Sequence, residues 1–505
     1  MPTDNIVNKT ATGIPGFDLI ACGGLPIHRT TLVSGSAGSG KTIFAVQFLA
    51  EGILQHDEPG VFVTFEETPE DIRRNVASLG WDIDTWEAEG KWAFVDASPQ
   101  TDAETLVVGD YDLGALLARV EHAVRQVGAR RLSMDSLGAV FSRFQDIAAI
   151  RFELLRIATA VRIMGVTSVL TAERDKEYGD ITRFGIEEFV ADNVIVLRNV
   201  LEEEKRRRTI EILKFRGTEH QKGEFPFTII PDDGFVVVPL SAIELKQRSS
   251  KVRVTSGNAE LDEMCGSGFF RDSILLVSGA TGTGKTLMVT EFIAGGVRQG
   301  EKCLLFAFEE SREQLFRNAD GWGVDFAAKE RDGHLRVVCE YPEVSSLEDR
   351  LLEMKNIIKE FKPQRVAVDS LSALERVATN RSFREFVISI TSFIKHQEII
   401  GLFTSTAPTL MGGTSVTEAH ISTLTDSIIL LRYVEMYGEM RRGLTVLKMR
   451  GSQHNKNIRE FTIDGEGMHI GKAFSNISGI LSGHPVLLQD GEIERLQSMF
   501  RGDIL

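Results

Sequence analysis

Positive charge is in short supply. The 505 residues hold 57 lysines and arginines against 72 aspartates and glutamates, a formal net charge of -15. Neutralising a nucleic-acid backbone calls for a basic face, so this balance argues against a broad DNA-binding surface, although not against a basic channel in an assembled ring. A basic loop interleaved with aromatics, which would track a single strand, is also missing. Cysteine is scarce. Cys22, Cys265, Cys303 and Cys339 show no metal-ligand spacing, and the reduced cytoplasm is the simplest compartment for them. No apolar run approaches the roughly 20 residues that span a bilayer. The first residues are polar and lack the apolar core of a signal peptide. What is left, 42% hydrophobic and 26% charged, is the composition of ordinary soluble domains, and the length allows about two to four of them.

Against these absences stands one motif used twice. Gly35-Ser36-Ala37-Gly38-Ser39-Gly40-Lys41-Thr42 and Gly279-Ala280-Thr281-Gly282-Thr283-Gly284-Lys285-Thr286 both fit G-x-x-x-x-G-K-[ST]. In such a loop the glycines let backbone N–H groups close around phosphate oxygens, the lysine reaches the β- and γ-phosphates, and the threonine hydroxyl helps hold Mg²⁺. Apolar runs at 31–33 and 274–277 read as strands entering the loops. Residues 43–49 and 287–293 read as helices leaving them.

The rest of the chain repeats with the loops. Lys41 pairs with Lys285 at an offset of 244 (285 − 41), and Glu66 with Glu309 at 243 (309 − 66). Asp135-Ser136-Leu137 pairs with Asp369-Ser370-Leu371 and Lys214-Phe215-Arg216-Gly217 with Lys448-Met449-Arg450-Gly451, both at 234 (369 − 135, 448 − 214). A nearly constant offset with a few deletions means two copies of one domain. Strands are expected at 60–65, 131–134 and 167–171, and again at 303–308, 365–368 and 401–404. Their alternation with helices predicts an α/β fold, a mainly parallel sheet with helices on both faces in each copy. The expected division is 1–245, 246–472 and a tail at 473–505, with a polar linker near 240–253, a short loose arm at 1–12 and a short amphipathic helix at 492–500.

Each copy carries a candidate catalytic set. Asp135 and Asp369 end apolar strands, where a carboxylate can order Mg²⁺ beside Thr42 and Thr286. Glu66-Glu67 and Glu309-Glu310 sit at strand ends about 25 residues after each loop lysine; phosphoryl transfer needs a carboxylate to orient or deprotonate the nucleophile. Glu66 and Glu309 are the expected bases, with Glu67 and Glu310 assisting; a surface acid pair is the plain alternative. Lys214, Arg216, Lys448 and Arg450 read as cations for a γ-phosphate, reaching a neighbouring subunit as an arginine finger does, or as a solvated basic strand. Lys205-Arg206-Arg207-Arg208 follows an acidic run and reads as a charge-balanced surface. The copies differ where the second has Ser422-Thr423 and the first, 234 residues earlier, has Glu188-Phe189. If this segment lies near a nucleotide, only the second copy can accept phosphoryl groups; the alternative is ordinary divergence.

With these residues in view, the chain resembles the KaiC family of circadian-clock ATPases and autokinases over roughly 12–485. The resemblance is carried by Phe65-Glu66-Glu67-Thr68, Phe308-Glu309-Glu310-Ser311, Leu447-Lys448-Met449-Arg450-Gly451-Ser452 and His420-Ile421-Ser422-Thr423. It implies tandem RecA-like P-loop domains in a two-tiered homohexamer with ATP between subunits. The first tier would hydrolyse ATP slowly, and the second would phosphorylate and dephosphorylate itself on Ser422 and Thr423, with Glu309 as base. It further implies that Gly38, Ser39, Gly40, Lys41, Thr42, Lys214 and Arg216, and Gly282, Thr283, Gly284, Lys285, Thr286, Trp322, Arg442, Lys448 and Arg450, bind ATP-Mg²⁺. Trp81 matches a second aromatic position near nucleotide, Thr417 a regulatory threonine, and 107–113 a surface for a KaiB-like protein. The tail departs from the family after about residue 483, which leaves a KaiA-like activator open; it could instead join two hexamers or act in cis. Two other readings share the loops: a RecA-like DNA-dependent motor, and a non-catalytic hub that ATP holds together.

Overall fold

A computed structural model describes residues 7–98, 113–141, 146–183, 185, 187–202, 205–238, 249–407, 421–436, 438–475, 477–480 and 486–487. The chain divides into two compact units, 1–242 and 243–505. Each is built on a nine-stranded sheet.

In the first unit the sheet runs Trp92–Asp96, Gly60–Thr64, Arg131–Asp135, Thr167–Glu173, Thr30–Gly35 and Asn193–Glu202, all parallel. Lys205–Phe215, Glu224–Ile230 and Gly234–Val237 then return antiparallel. The second unit repeats the order with Leu335–Cys339, Cys303–Ala307, Arg365–Asp369, Ile400–Thr406, Ile274–Gly279 and Ser427–Met436 parallel, then Glu439–Met449, Arg459–Asp464 and Gly467–Ala473 antiparallel. Each expected strand forms. The central ones, Thr30–Gly35 and Ile274–Gly279, are buried along their whole length, which is why each carries a short apolar run, Leu32-Val33 and Ile274-Leu275-Leu276-Val277, rather than an alternating pattern. The helices Lys41–His56 and Lys285–Arg298 follow them. Gly40 and Gly284, at φ 88° and 105°, make the left-handed step that starts each helix.

The sequence signals did not identify the arginine that ties each unit together. Arg131 is fully buried and donates to the carbonyls of Ala11 and Phe48, each at 2.8 Å, while pairing with Glu58 at 2.7 Å. Arg365 does the same with Thr255, Phe292 and Glu301. A guanidinium presents five donors in a fixed fork, so one side chain can hold the helix after the phosphate loop, the segment before it and the sheet. Gly52 and Gly296 leave room for it: a Cβ at either would lie 2.5 Å from the arginine Cδ.

The loose arm expected at 1–12 needs correcting where the structure describes it. Lys9–Thr10 pairs antiparallel with Leu25–Pro26, and Thr12 is buried, with its amide and hydroxyl donating to Asp18 at 3.0 and 2.7 Å. In the tail, Ile477–Ser478 pairs with Val486–Leu487. The helix expected at 492–500 lies outside the described residues.

Candidate nucleotide sites

Both phosphate loops sit at the carboxyl ends of their parallel strands, where an open α/β sheet binds ligands. Ser39 and Thr283 brace them, donating to the carbonyls of Ser36 and Ala280, each at 2.8 Å. Lys41 Nζ donates to the Gly35 and Ser36 carbonyls, both at 3.0 Å, and Lys285 Nζ to those of Gly279 and Ala280 at 3.0 and 3.1 Å. Burial lowers both lysines from the usual range. Carboxylates oppose that shift, among the described residues Asp135, Glu173, Glu66 and Glu177 for Lys41 and Asp369 and Glu309 for Lys285.

Next to each lysine, a hydroxyl meets the strand-end aspartate. Thr42 Oγ1 donates to Asp135 Oδ2 at 2.6 Å, and Thr286 Oγ1 to Asp369 Oδ2 at 2.7 Å. A second threonine, Thr171 or Thr404, donates to the other carboxylate oxygen. The peptides Asp135–Ser136 and Asp369–Ser370 are both cis. Burial raises the Asp369 carboxyl, with the two threonine bonds acting against it. The pairing of hydroxyl and carboxylate oxygens suits Mg²⁺, a hard cation that takes few protein ligands and fills its shell with phosphate and water. No group of three or more His, Cys, Asp or Glu among the described residues could hold an ion unaided.

The glutamate pairs differ in their company. Ser136 Oγ donates to Glu66 Oε1 at 3.3 Å. Burial and the like charge of Glu173 push the Glu66 carboxyl above its usual range. Glu309 instead pairs with Arg376 at 3.2 Å. Their neighbours match: Asn75 donates to Glu67 at 2.9 Å, and Asn318 to Glu310 at 3.1 Å. Burial, then the charge of Asp369, raises Glu310. The sheet register locates the source of the asymmetry. Glu173 lies opposite Gly35, and the matching place opposite Gly279 is Thr406.

The remaining cations fall at the other end of the sheet. Lys214 pairs with Val194 and Lys448 with Ile428, whereas the loop glycines lie beside Leu197 and Leu431. Three strand residues separate the two levels, roughly 10 Å. A bulge sits at the same place in both hairpins, leaving Leu213 and Leu447 as extra residues; such a bulge re-aims the side chains that follow. Lys214 donates to the carbonyls of Glu188 and Ala191 at 3.1 and 2.8 Å, and Lys448 to that of Thr425 at 2.7 Å. Arg216 pairs with Asp192 at 3.5 Å, and Arg450 with Asp426 at 3.7 Å. Neither pair of cations touches the phosphate loop of its own unit.

The hydroxyl pair shares this amino end. Ile421–Thr423 forms a single 3₁₀ turn before the strand Ser427–Met436. Ile421 is buried and anchors the turn, Thr423 is exposed, and Arg450 donates to the Thr423 carbonyl at 2.9 Å. In the first unit Glu188 accepts from Thr182 at 2.7 Å instead. Thr417, Glu418 and 107–112 lie outside the described residues.

Arg442 stays at the carboxyl end, 5.8 Å over the ring of Tyr433, whose hydroxyl donates to the loop carbonyl of Thr281 at 3.5 Å. Trp322 lines an open cavity of about 330 Å³ with Leu287, Glu291, Arg298 and Gly467. Its counterpart Trp81 is buried instead, and a Cβ on Gly234 would lie 2.8 Å from its ring. The basic run at 205–208 is part of a strand, with Arg206 on the Asn199 carbonyl at 2.8 Å and Arg207 near Glu202 at 3.8 Å.

Sequence reasoning passed over Thr171 and Thr404, Asn75 and Asn318, Glu173, Glu177 and Arg376. The first four carried a usable signal, because each pair repeats at the offset of its neighbours (404 − 171 = 233; 318 − 75 = 243). The last three have no partner in the other copy, so repetition could not point to them.

Comparison with known proteins agrees with this geometry. The family model described as "ATPase: KaiC" matches residues 10–242 and again 254–475. The chain is 68% identical to the circadian clock protein KaiC3 of Synechocystis sp. (strain ATCC 27184 / PCC 6803 / Kazusa), over 99% of this chain and 98% of the relative. It is 54% identical to the circadian clock oscillator protein KaiC of Thermostichus vulcanus and 53% identical to that of Synechococcus elongatus, each over 98% of this chain and 95% of the relative. No helix among the described residues is long and apolar enough to cross a membrane. The family implies that the protein binds ATP, and the chain belongs to the KaiC family of ATPases.

Proposed function

We propose that the first unit hydrolyses ATP and that the second transfers the γ-phosphoryl group of ATP to Ser422 and Thr423 of a neighbouring copy in a ring. One observation carries this reading: the hydroxyl turn, Lys448 and Arg450 lie at the amino end of the second sheet, and the phosphate loop at the carboxyl end. Transfer within one unit would have to cross the sheet. Copies arranged head to tail bring one copy's amino end to the next copy's loop, and a heterologous contact of that kind closes into a ring. The family resemblance supports a homohexamer of two tiers for that ring.

The chemistry follows from the side chains. Glu309, oriented by Arg376, takes the proton of the Ser422 or Thr423 hydroxyl. The oxygen forms a bond to the γ-phosphorus, the bond to the β-bridging oxygen breaks, and ADP leaves with that electron pair. Lys285 and Arg442 from one copy, and Lys448 and Arg450 from the next, hold the phosphates in line. Thr286 and Asp369 hold Mg²⁺, which supplies charge neutralisation for the transferring group. Running backwards, the same steps return phosphate to ADP. In the first unit Glu66 takes its proton from water, Thr42 and Asp135 hold the cation, and Lys214 and Arg216 serve the neighbouring site. Glu188 and Phe189 offer no hydroxyl there, so phosphate goes to solvent.

This reading makes the protein a cytoplasmic timer component, a circadian clock or an hourglass, with 107–113 as the surface for a KaiB-like partner. Intact-mass and phosphopeptide analysis after incubation with ATP-Mg²⁺ tests it. Phosphate is expected on Ser422 and Thr423, and Ser422→Ala with Thr423→Ala should abolish it while hydrolysis in the first unit continues. Phosphate elsewhere, or none alongside continued ATP consumption, contradicts the assignment.

A further inference from the structure

We propose that Glu177 is an anionic latch on the first phosphate loop, a positioning residue that weakens that unit's hold on nucleotide polyphosphate. It rests on the reading that the first unit turns over ATP. The segment after the strand Thr167–Glu173 folds back to the loop, and Glu177 ends against it. Its Oε1 accepts from Ser36 Oγ at 2.5 Å, and its Oε2 accepts from the Asn199 amide at 2.9 Å. Ser36 is the first variable residue of the loop, and Asn199 also reaches the Gly38 carbonyl at 3.4 Å. The carboxylate is thus tied both to the loop and to the strand beside it. It is half-buried, so its charge is incompletely screened by water.

A phosphate loop works by presenting backbone donors and a lysine to an anion. A fixed carboxylate on its rim opposes the same anion and competes for Lys41. Arg174, Arg198 and Arg206 are cations on this side, and Arg206 donates to the Asn199 carbonyl at 2.8 Å. Arg198 is taken by Glu211 and Glu224 at 2.6 and 3.2 Å. Arg174 is buried there with its Nε unpartnered.

The second unit lacks each part of the device. Ala280 replaces Ser36, so no hydroxyl is present. Tyr433 replaces Asn199 (199 + 234 = 433), and its own hydroxyl goes to the loop. After Thr406, the counterpart of Glu173, the sequence carries no carboxylate until Glu418.

The test uses the full-length protein and the part of its ATP hydrolysis that Lys41→Ala removes. Glu177→Gln keeps the shape and removes the charge. It is expected to lower the half-saturating ATP concentration roughly three- to tenfold with a smaller change in kcat, as for one charge near a polyphosphate. Added salt should narrow the gap between wild type and variant; a purely structural role would not produce that. Ser36→Ala, which copies the second unit, should move half-saturation the same way by less, and it carries the test alone if Glu177→Gln fails to fold. Half-saturation that is unchanged or raised in these variants overturns the latch. Hydrolysis untouched by Lys41→Ala overturns the reading beneath it, and the latch with it.

Discussion

The two phosphate loops share backbone, register and a threonine–aspartate pair, yet their lysines sit in different fields. Among the described residues, the charges of Asp135, Glu173, Glu66 and Glu177 act on Lys41, and those of Asp369 and Glu309 on Lys285. In the first unit Glu66 sits beside a hydroxyl and another acid, whereas Glu309 is held by an arginine. A duplicated fold therefore does not imply a duplicated reaction. The scaffold is kept in both units, and the rim differs: acids crowd the first site, and an arginine pairs with the carboxylate of the second.

Replacing the loop lysines should separate the units most sharply. Lys41→Ala should cost first-unit hydrolysis at least about a hundredfold, and Lys285→Ala should cost phosphate incorporation by as much, since each removes a donor aimed at developing charge. Rates of inorganic phosphate release and of phosphopeptide formation read the two separately. Either substitution abolishing both activities would erase the distinction.

The bases come next. Glu66→Gln should slow hydrolysis by about 10²–10⁴-fold and Glu309→Gln should slow transfer similarly. Glu66 must be ionised to take a proton, and its carboxyl lies above the usual range. Hydrolysis should then decline as pH falls, starting above the pH at which an ordinary glutamate protonates. Glu173→Gln removes a like charge and should move that decline to lower pH; an unmoved profile would disconnect Glu173 from the base.

Thr404→Val and Thr171→Val test what the units have in common. Each removes a hydroxyl that orients the metal-side aspartate, and a loss of about 10–100-fold in Mg²⁺ affinity is expected in its own unit. The smallest effect belongs to Arg376→Ala. Its ion pair with Glu309 is partly exposed, so transfer should slow only a few-fold, with first-unit hydrolysis unchanged.

The alternation of strands and helices and the repeat offset made the α/β fold legible, because buried parallel strands read as apolar runs and the loops punctuate them. The P-loops, the strand-end aspartates and the glutamate pairs were legible for the same reason: their chemistry depends on local spacing. What could not be read depends on long-range return. Lys214 and Lys448 are brought to the amino end by antiparallel hairpins whose register turns on one bulged leucine each. Arg131 and Arg365 look like ordinary strand-edge cations until burial shows them bonded to segments some 65 to 120 residues away. Glu177 reaches the loop across 141 residues and has no echo in the second copy.

The central claim is that the second unit's acceptors are served by a neighbour's nucleotide. Mixing chains answers it directly. One chain carries Lys285→Ala with Ser422 and Thr423 intact; the other keeps Lys285 but carries Ser422→Ala and Thr423→Ala. After co-assembly from dissociated subunits with ATP-Mg²⁺, the account predicts phosphate on Ser422 and Thr423 of the chain whose own loop is disabled. Phosphate absent from the mixture, while wild-type chains treated the same way become modified, would place the transfer within a single chain and contradict it.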